Sequence, residues 1–297
     1  MPKYRKINLN EAIFLLQNNV PDLVSLDLSD QEISEQCLYE LVNAINANIH
    51  LKRIKMNGCM IDDDKIKILS RLGSIEVLSL RANKISDKGL RLLATIPSLK
   101  KLDLSSNNNR YDKNITAKGL KFFVRNSTLE QLILSDNELN DECAKTLAKT
   151  NLRRLILSNN QITHKGVSYL AVHKKLNFLD ISTNKIGDAG AITLINENLR
   201  IRGLVLNNNK LSIKAIAKMN SEKLKKLDRL DICLNPLGQD GIKLLQDKRG
   251  SQDGLSTFFC QKRNRSFIKG LFNTIHTQFL PNKDNKSEQS IVFKCTL

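Results

Sequence analysis

Ile75-Glu-Val-Leu-Ser-Leu-Arg-Ala-Asn-Lys-Ile-Ser-Asp-Lys-Gly-Leu-Arg-Leu-Leu93 is the stretch that decides the fold. Leu78 and Leu80 alternate with Ser79 and Arg81, which puts both leucines on one face of a short strand. Ser86 is a favoured helix N-cap, and Gly89 stands three residues later, where a helix backbone approaches the strand layer. The underlying pattern, LxxLxLxxNxL, occurs nine times between Leu23 and Leu237, in units beginning at Leu23, Leu51, Ile75, Leu99, Leu129, Leu152, Leu176, Ile201 and Leu227. The steps between them run from 23 to 30 residues, within or beside the period of a strand-and-helix repeat.

Three registered rows give each unit its form. The fourth landmark reads Gln31, Cys59, Asn83, Asn107, Asn137, Asn160, Asn184, Asn209 and Asn235, a ladder of amides suited to backbone groups that a turning chain would otherwise bury unpaired. The N-cap row reads Ser34, Asp62, Ser86, Thr116, Asn140, Thr163, Gly187, Ser212 and Gly238, all of them cap-forming residue types. The third row reads Cys37, Lys65, Gly89, Gly119, Cys143, Gly166, Gly190, Ala215 and Gly241, small with one exception. The expected architecture is an α/β solenoid with one parallel inner sheet and helices outside. Its strands should centre near residues 26, 54, 78, 102, 132, 155, 179, 204 and 230.

In these rows the chain resembles the ribonuclease-inhibitor-like class of leucine-rich repeats, over roughly residues 23 to 250. The resemblance implies a curved scaffold and a binding surface, but not a particular partner. A solenoid grows by stacking, so 297 residues require only one elongated domain. Residues 1–22, with Asn10-Glu-Ala-Ile-Phe-Leu-Leu-Gln17, read as an N-terminal helical cap, and 23–250 as the nine repeats. Residues 251–280 read as a degenerate repeat, with Leu255, Phe258 and Cys260 continuing the register, followed by a C-terminal capping helix. Phe267, Ile268, Leu271, Phe272, Ile275 and Phe279 lie on one stripe of that helix, which alternatively serves a partner or a membrane surface. Residues 281–297 read as a flexible tail.

No stretch reaches the ~18 apolar residues of a membrane span, and no secretory leader is legible at the start. The six cysteines form no paired zinc pattern, and a reducing compartment is expected. His50, His164, His173 and His276 lack ligand spacing, and no Gly-rich phosphate loop follows a strand, so neither catalysis nor a cofactor is expected.

Charge points to partners. The formal net charge is +17, and residues 23–250 hold 37 basic against 25 acidic residues. Such a surplus attracts nucleic acid, an acidic protein or an anionic membrane, although a Lys-, Asn- and Ile-rich composition would also follow from an AT-rich genome. Lys52, Arg53, Lys100, Lys101, Arg153, Arg154, Lys174, Lys175, Arg200, Arg202, Lys225 and Lys226 gather where strands begin. Stacking should bring them into a positive rim along most of the ~38 Å of the sheet, suited to a phosphate backbone.

The outward strand positions are mixed. Lys55, Arg81, Asp103, Asp180, Arg229 and Asp231 supply charge, while Ile133, Ile156, Phe178 and Val205 supply an apolar concave patch fit for a protein partner. Arg110 and Tyr111, in an insertion between Asn107 and Ile115, are candidate loop contacts. Small repeats, composition and a polar C-terminus together resemble the compact leucine-rich-repeat effectors of Legionella-type bacteria. That resemblance implies non-classical secretion into a host cytoplasm and steric inhibition of an RNA-containing or acidic assembly, the host ribosome foremost. The alternative is a protein–protein module that grips a host signalling or ubiquitin-pathway protein.

Overall fold

A computed structural model describes residues 5–107, 114–198 and 200–250, and the backbone of 256–258. Arg110, Tyr111, the 266–280 helix and the 281–297 tail lie outside the described residues. Eleven strands form one sheet in sequence order, every neighbouring pair parallel. They are β1 (Arg5–Lys6), β2 (Ser25–Asp27), β3 (Arg53–Lys55), β4 (Val77–Ser79), β5 (Lys101–Asp103), β6 (Gln131–Ile133), β7 (Arg154–Ile156), β8 (Phe178–Asp180), β9 (Gly203–Val205), β10 (Arg229–Asp231) and β11 (Ser256–Phe258). All nine expected strand centres coincide with β2 to β10, and each pairs with its counterpart one repeat on, as Leu78 does with Leu102.

Two strands lie outside the nine. β1 precedes the helix Leu9–Gln17 and pairs with β2, so the N-terminal cap contributes to the sheet as well as to the helical layer. β11 lies where a tenth strand was expected, but one residue out of register: Thr257 rather than Phe258 pairs with Leu230. In a strand of period two, a slip of one residue exchanges the faces.

The leucine positions of successive repeats stack into one core. Leu26, Ile54, Leu78, Leu102, Leu132, Leu155, Leu179, Leu204 and Leu230 are all buried, and the helices close over them. Asn side chains bind the turns together. Asn184 Nδ2 donates to the carbonyls of Leu157, Ile181 and Ser182 at 2.9–3.1 Å, while its Oδ1 accepts from Ile162 N at 3.0 Å. Each amide thus spans two repeats. Gln31 performs the same service toward the cap, with Nε2 donating to Ile7 O at 2.8 Å and Oε1 accepting from Leu9 N at 3.1 Å. Cys59 substitutes partially, its Sγ 3.1 Å from Leu28 O.

Seven of the nine expected N-caps cap with their side chains: Ser34, Asp62, Ser86, Thr116, Asn140, Thr163 and Ser212. Gly187 and Gly238 do not. They have φ of +60° and +65°, a left-handed turn available to glycine at no steric cost, and the helices Gly187–Glu197 and Gly238–Arg249 begin on them without a side-chain cap.

The small-residue row has a sharper cause than proximity alone. Asp63, Asp87, Asp141 and Asp188, at the starts of their helices, each accept from the backbone N–H and hydroxyl of the next repeat's cap, Ser86, Thr116, Thr163 and Ser212 respectively, at 2.5–2.9 Å. A Cβ on Gly89 would fall 2.6 Å from Asp63 Oδ1. Glycine therefore leaves room for a carboxylate that ties two helices together.

Where helices return to the sheet, Asn48, Asn126 and Asn198 each accept two backbone N–H groups through Oδ1, and His173 Nδ1 does so in its own repeat, from Lys175 N at 3.1 Å and Leu176 N at 3.0 Å. An acceptor Nδ1 requires the neutral ring. Burial pushes the His173 imidazole below its ordinary 6.5, and the nearby Lys175 charge adds to the effect. The unfolded chain then binds the extra proton first, so the contribution of neutral His173 is complete above 6.5 and is lost as pH falls toward the folded value. His173→Asn should keep both hydrogen bonds and abolish that part of the acid sensitivity. Urea titrations at about pH 7.5 and 5.5 would show it; an unchanged pH decrement in the variant would contradict this role.

Candidate functional site

The concave face is built from three outward rows on the strands and the residues just after them. The first runs through Arg53, Val77, Lys101, Gln131, Arg154, Phe178, Gly203 and Arg229, and the second through Asp27, Lys55, Ser79, Asp103, Ile133, Ile156, Asp180, Val205 and Asp231. The third row, of which only Arg81 was singled out from sequence, is largely polar. Ser105 Oγ donates to Asp103 Oδ1 at 2.7 Å, Ser182 Oγ donates to Asp180 Oδ1 at 2.6 Å, and Asn57 Oδ1 accepts from Ser79 Oγ at 2.7 Å. The run of Ser105, Ser135, Ser158 and Ser182 at one register position was the signal for it.

The two halves of this face differ. Over β2 to β5, Asp27, Arg53, Lys55, Val77, Arg81, Lys101 and Asp103 are partly exposed. Lys55 Nζ lies 3.8 Å from Asp27 Oδ2. Burial lowers the Lys101 ammonium, with Asp103 opposing that shift and the charges of Arg154, Lys55 and Arg53 adding to it. Cations and carboxylates alternate here over an area with few apolar side chains.

Over β6 to β10 the expected apolar patch is in place by register, but most of it is not exposed. Ile133, Phe178 and Val205 are 5, 9 and 1% accessible, and only Ile156 is partly open. The Arg154 guanidinium stacks 4.0 Å from the centre of the Phe178 ring, and that ring lies across Gly203, where a Cβ would fall 2.5 Å from Phe178 Cδ2. Burial, reinforced by Arg229, lowers Arg154. Burial raises the Asp180 carboxyl, against the Ser182 hydroxyl and N–H that stabilise its anion. Arg229 Nη2 stands 3.7 Å from Asp231 Oδ2.

The expected positive rim is not continuous. The position after the first leucine stacks Lys52, Glu76, Lys100, Glu130, Arg153, Asn177 and Arg202, each N–H bonded to the preceding carbonyl at 2.8–3.0 Å. Glu76 and Glu130 thus separate the cations, and Lys100 Nζ pairs with Glu76 Oε2 at 3.0 Å. Arg53, Lys101 and Arg154 belong to the concave face instead. What remains is a cationic corner at the last three repeats: Lys174, Lys175, Arg200, Arg202, Lys225 and Lys226, all exposed. The short helix Ser221–Lys225 adds Lys223 there. Beside it lies a cavity of about 260 Å³ with an apolar floor including Ile195, Leu204 and Leu227, and Arg202, Lys223 and Lys226 among its walls.

Among the described residues, no group of His, Cys, Asp and Glu is placed to hold a metal ion, and no helix is long and apolar enough to cross a membrane.

A family model described as leucine-rich repeat matches residues 74–94, 125–148, 148–171 and 172–194. These are the third, fifth, sixth and seventh units, which carry the landmark Asn and none of the six extra residues of the fourth. The architecture is a leucine-rich-repeat solenoid of the α/β class. Among solved structures, the tropomodulin C-terminal domain from Caenorhabditis elegans is 16% identical, with a TM-score of 0.34, over 42% of this chain and 81% of that chain. So loose a superposition bears on neither fold nor function.

Proposed function

We propose that this chain is a non-catalytic protein-binding module whose partner is gripped by the open half of the concave face. The observation that carries the reading is the in-register alternation of Asp27, Arg53, Lys55, Lys101 and Asp103 on β2, β3 and β5. Alternating signs on a rigid sheet recognise a surface of complementary alternation, whereas a bare phosphate chain would be repelled at each carboxylate. Leucine-rich repeats are generally binding scaffolds, which agrees with this reading.

Charge reversal of Lys55 and Lys101 should reduce capture of the partner from a cell extract at least tenfold while leaving thermal stability unaltered. Capture should also survive ribonuclease. Because Lys55 and Lys101 are partly exposed, their loss opens no cavity.

A second reading is favoured by the cationic corner: docking on an acidic or RNA-containing assembly, with the host ribosome the leading instance, and inhibition by occlusion. Delivery into a host cytoplasm as a bacterial effector belongs to that reading. It requires ribonuclease-sensitive co-sedimentation that is lost on reversing Lys174, Lys175 and Lys226. It also requires a log affinity that falls with log salt by roughly 0.7–0.9 per phosphate contact. Capture that resists ribonuclease, tolerates those reversals and fails with Lys55 and Lys101 decides for the protein module.

A further inference from the structure

Most charged side chains of the concave face are answered within the sheet. Lys55 faces Asp27, Arg229 faces Asp231, and the carboxylates of Asp103 and Asp180 each accept from the serine two residues on. Lys101 and Arg154 are not so answered. Both are half-buried, and among the described residues neither side chain makes an ion pair or a hydrogen bond. Arg154 Nε is buried without an acceptor. Gln131 stands between them, since Lys101 pairs with Gln131 and Gln131 with Arg154 in the sheet. Its side chain is 7% accessible, and its amide likewise makes no hydrogen bond among the described residues. Three donor-bearing side chains thus lie side by side on β5, β6 and β7 with no acceptor, and buried donors left unpaired are costly.

The arrangement is held in place. The Phe178 ring lies across Gly203, where no side chain competes for the space, and the Arg154 guanidinium stacks on that ring. Stacking fixes the guanidinium plane and leaves an edge of it for a ligand, and a planar carboxylate matches such a fork with two parallel hydrogen bonds. Lys101 and Arg154 are two strand spacings apart, ~10 Å at the backbone, a gap that two long side chains close around one small anion. Burial lowers the Lys101 ammonium and the charge of Arg154 adds to the effect, so a negative charge between the two relieves a repulsion that the free protein carries. The neighbouring outward row brings Asp103 and the partly open Ile156 alongside. Asp103 opposes a phosphate chain more than a single carboxylate, and Ile156 suits the methylene stem of an acidic side chain.

We propose that Lys101, Gln131 and Arg154 form the seat of one carboxylate, supplied by an acidic side chain of the protein partner. The proposal deepens the protein-module reading and takes the partner from it. Its test uses a defined peptide and no extract, so the two fail separately.

The probe is hexaglutamate, with a uridine hexanucleotide as its phosphate counterpart, added to the isotope-labelled full chain. In nitrogen–proton spectra the Arg154 Nε–Hε signal should move saturably with the peptide, and the Gln131 amide with it, while Arg200 and Arg202 at the cationic corner move less. Arg154→Lys assigns the signal and should weaken the peptide at least tenfold, because an ammonium keeps the charge and loses the fork. Gln131→Leu should also weaken the peptide, yet raise thermal stability, since it removes an unpaired buried amide. A Gln131 with a purely structural role would lose stability instead. If either variant fails to fold, the wild-type spectra decide. Three results would overturn the proposal: an Arg154 signal indifferent to the peptide, equal shifts at every exposed arginine, or a hexanucleotide that occupies Arg154 as tightly as the peptide does. Capture lost on reversing Lys55 and Lys101 beside an indifferent Arg154 would leave the protein module standing and refute this seat.

Discussion

Asn160→Leu should lower the unfolding free energy by at least about 3 kcal/mol, since each buried backbone group left unpaired costs about 1–3 kcal/mol. Asn160 Oδ1 accepts from Asn137 N at 3.1 Å and Leu139 N at 2.9 Å, and Nδ2 donates to the carbonyls of Leu134, Leu157 and Ser158 at 2.9–3.2 Å. Leucine fills the volume and satisfies none of these groups, so two N–H donors lose their acceptor inside the solenoid. The same substitution at Asn235, which is partly exposed, should cost visibly less because water can replace the amide. Urea denaturation of both variants measures the difference. Equal costs, or lost binding with unaltered stability, would make the Asn row a recognition surface instead of a structural one.

That row was legible because seven of its nine positions are Asn and each stands at the same place after the leucines of its own unit, whatever the length of the unit. The strand centres were legible for the same reason, since hydrophobic period two inside a longer repeat leaves one register that buries every leucine. The rim was not, because cations near each strand start were taken together although they belong to two rows. Once Glu76 pairs with Lys52 and Lys100 through backbone hydrogen bonds, one row alternates in sign, and Arg53, Lys101 and Arg154 move to the concave face. The apolar patch was placed correctly on its strands, but exposure is a property of what lies over a face and is not encoded in the face itself. Ile133 and Val205 show this: outward by register, yet buried.

The carboxylate ladder also escaped the sequence reading. Its signal is an Asp directly after the helix cap, with Ser or Thr at the cap of the following repeat, and neither residue is unusual alone. Gly166 gives the ladder a measurable coupling. A Cβ there would fall on Asp141 Oδ1, 2.8 Å from Ile162 Cγ2 and 3.1 Å from Ala144 Cβ. Asp141 holds Thr163 N at 2.8 Å and Thr163 Oγ1 at 2.7 Å, so displacing its carboxylate strands the next helix's cap as well. Asp188 still holds Ser212 N at 2.7 Å in front of the helix where Ala215 takes the place of glycine, so a single methyl is a weak probe, and Gly166→Val is the decisive one. Gly166→Val should cost about 3 kcal/mol, combining overpacking of about 1–3 kcal/mol with the lost hydrogen bonds. Asp141→Ala alone should cost about 1–3 kcal/mol through the unpaired Thr163 groups. In the double variant the added side chain occupies space the carboxylate has left, so the combined loss should fall short of the sum by about 1–2 kcal/mol, within the range of coupled neighbours. Strict additivity in a double-mutant cycle would mean that glycine at 166 answers to helix–strand proximity alone, and that the Asp ladder does not set the small-residue row.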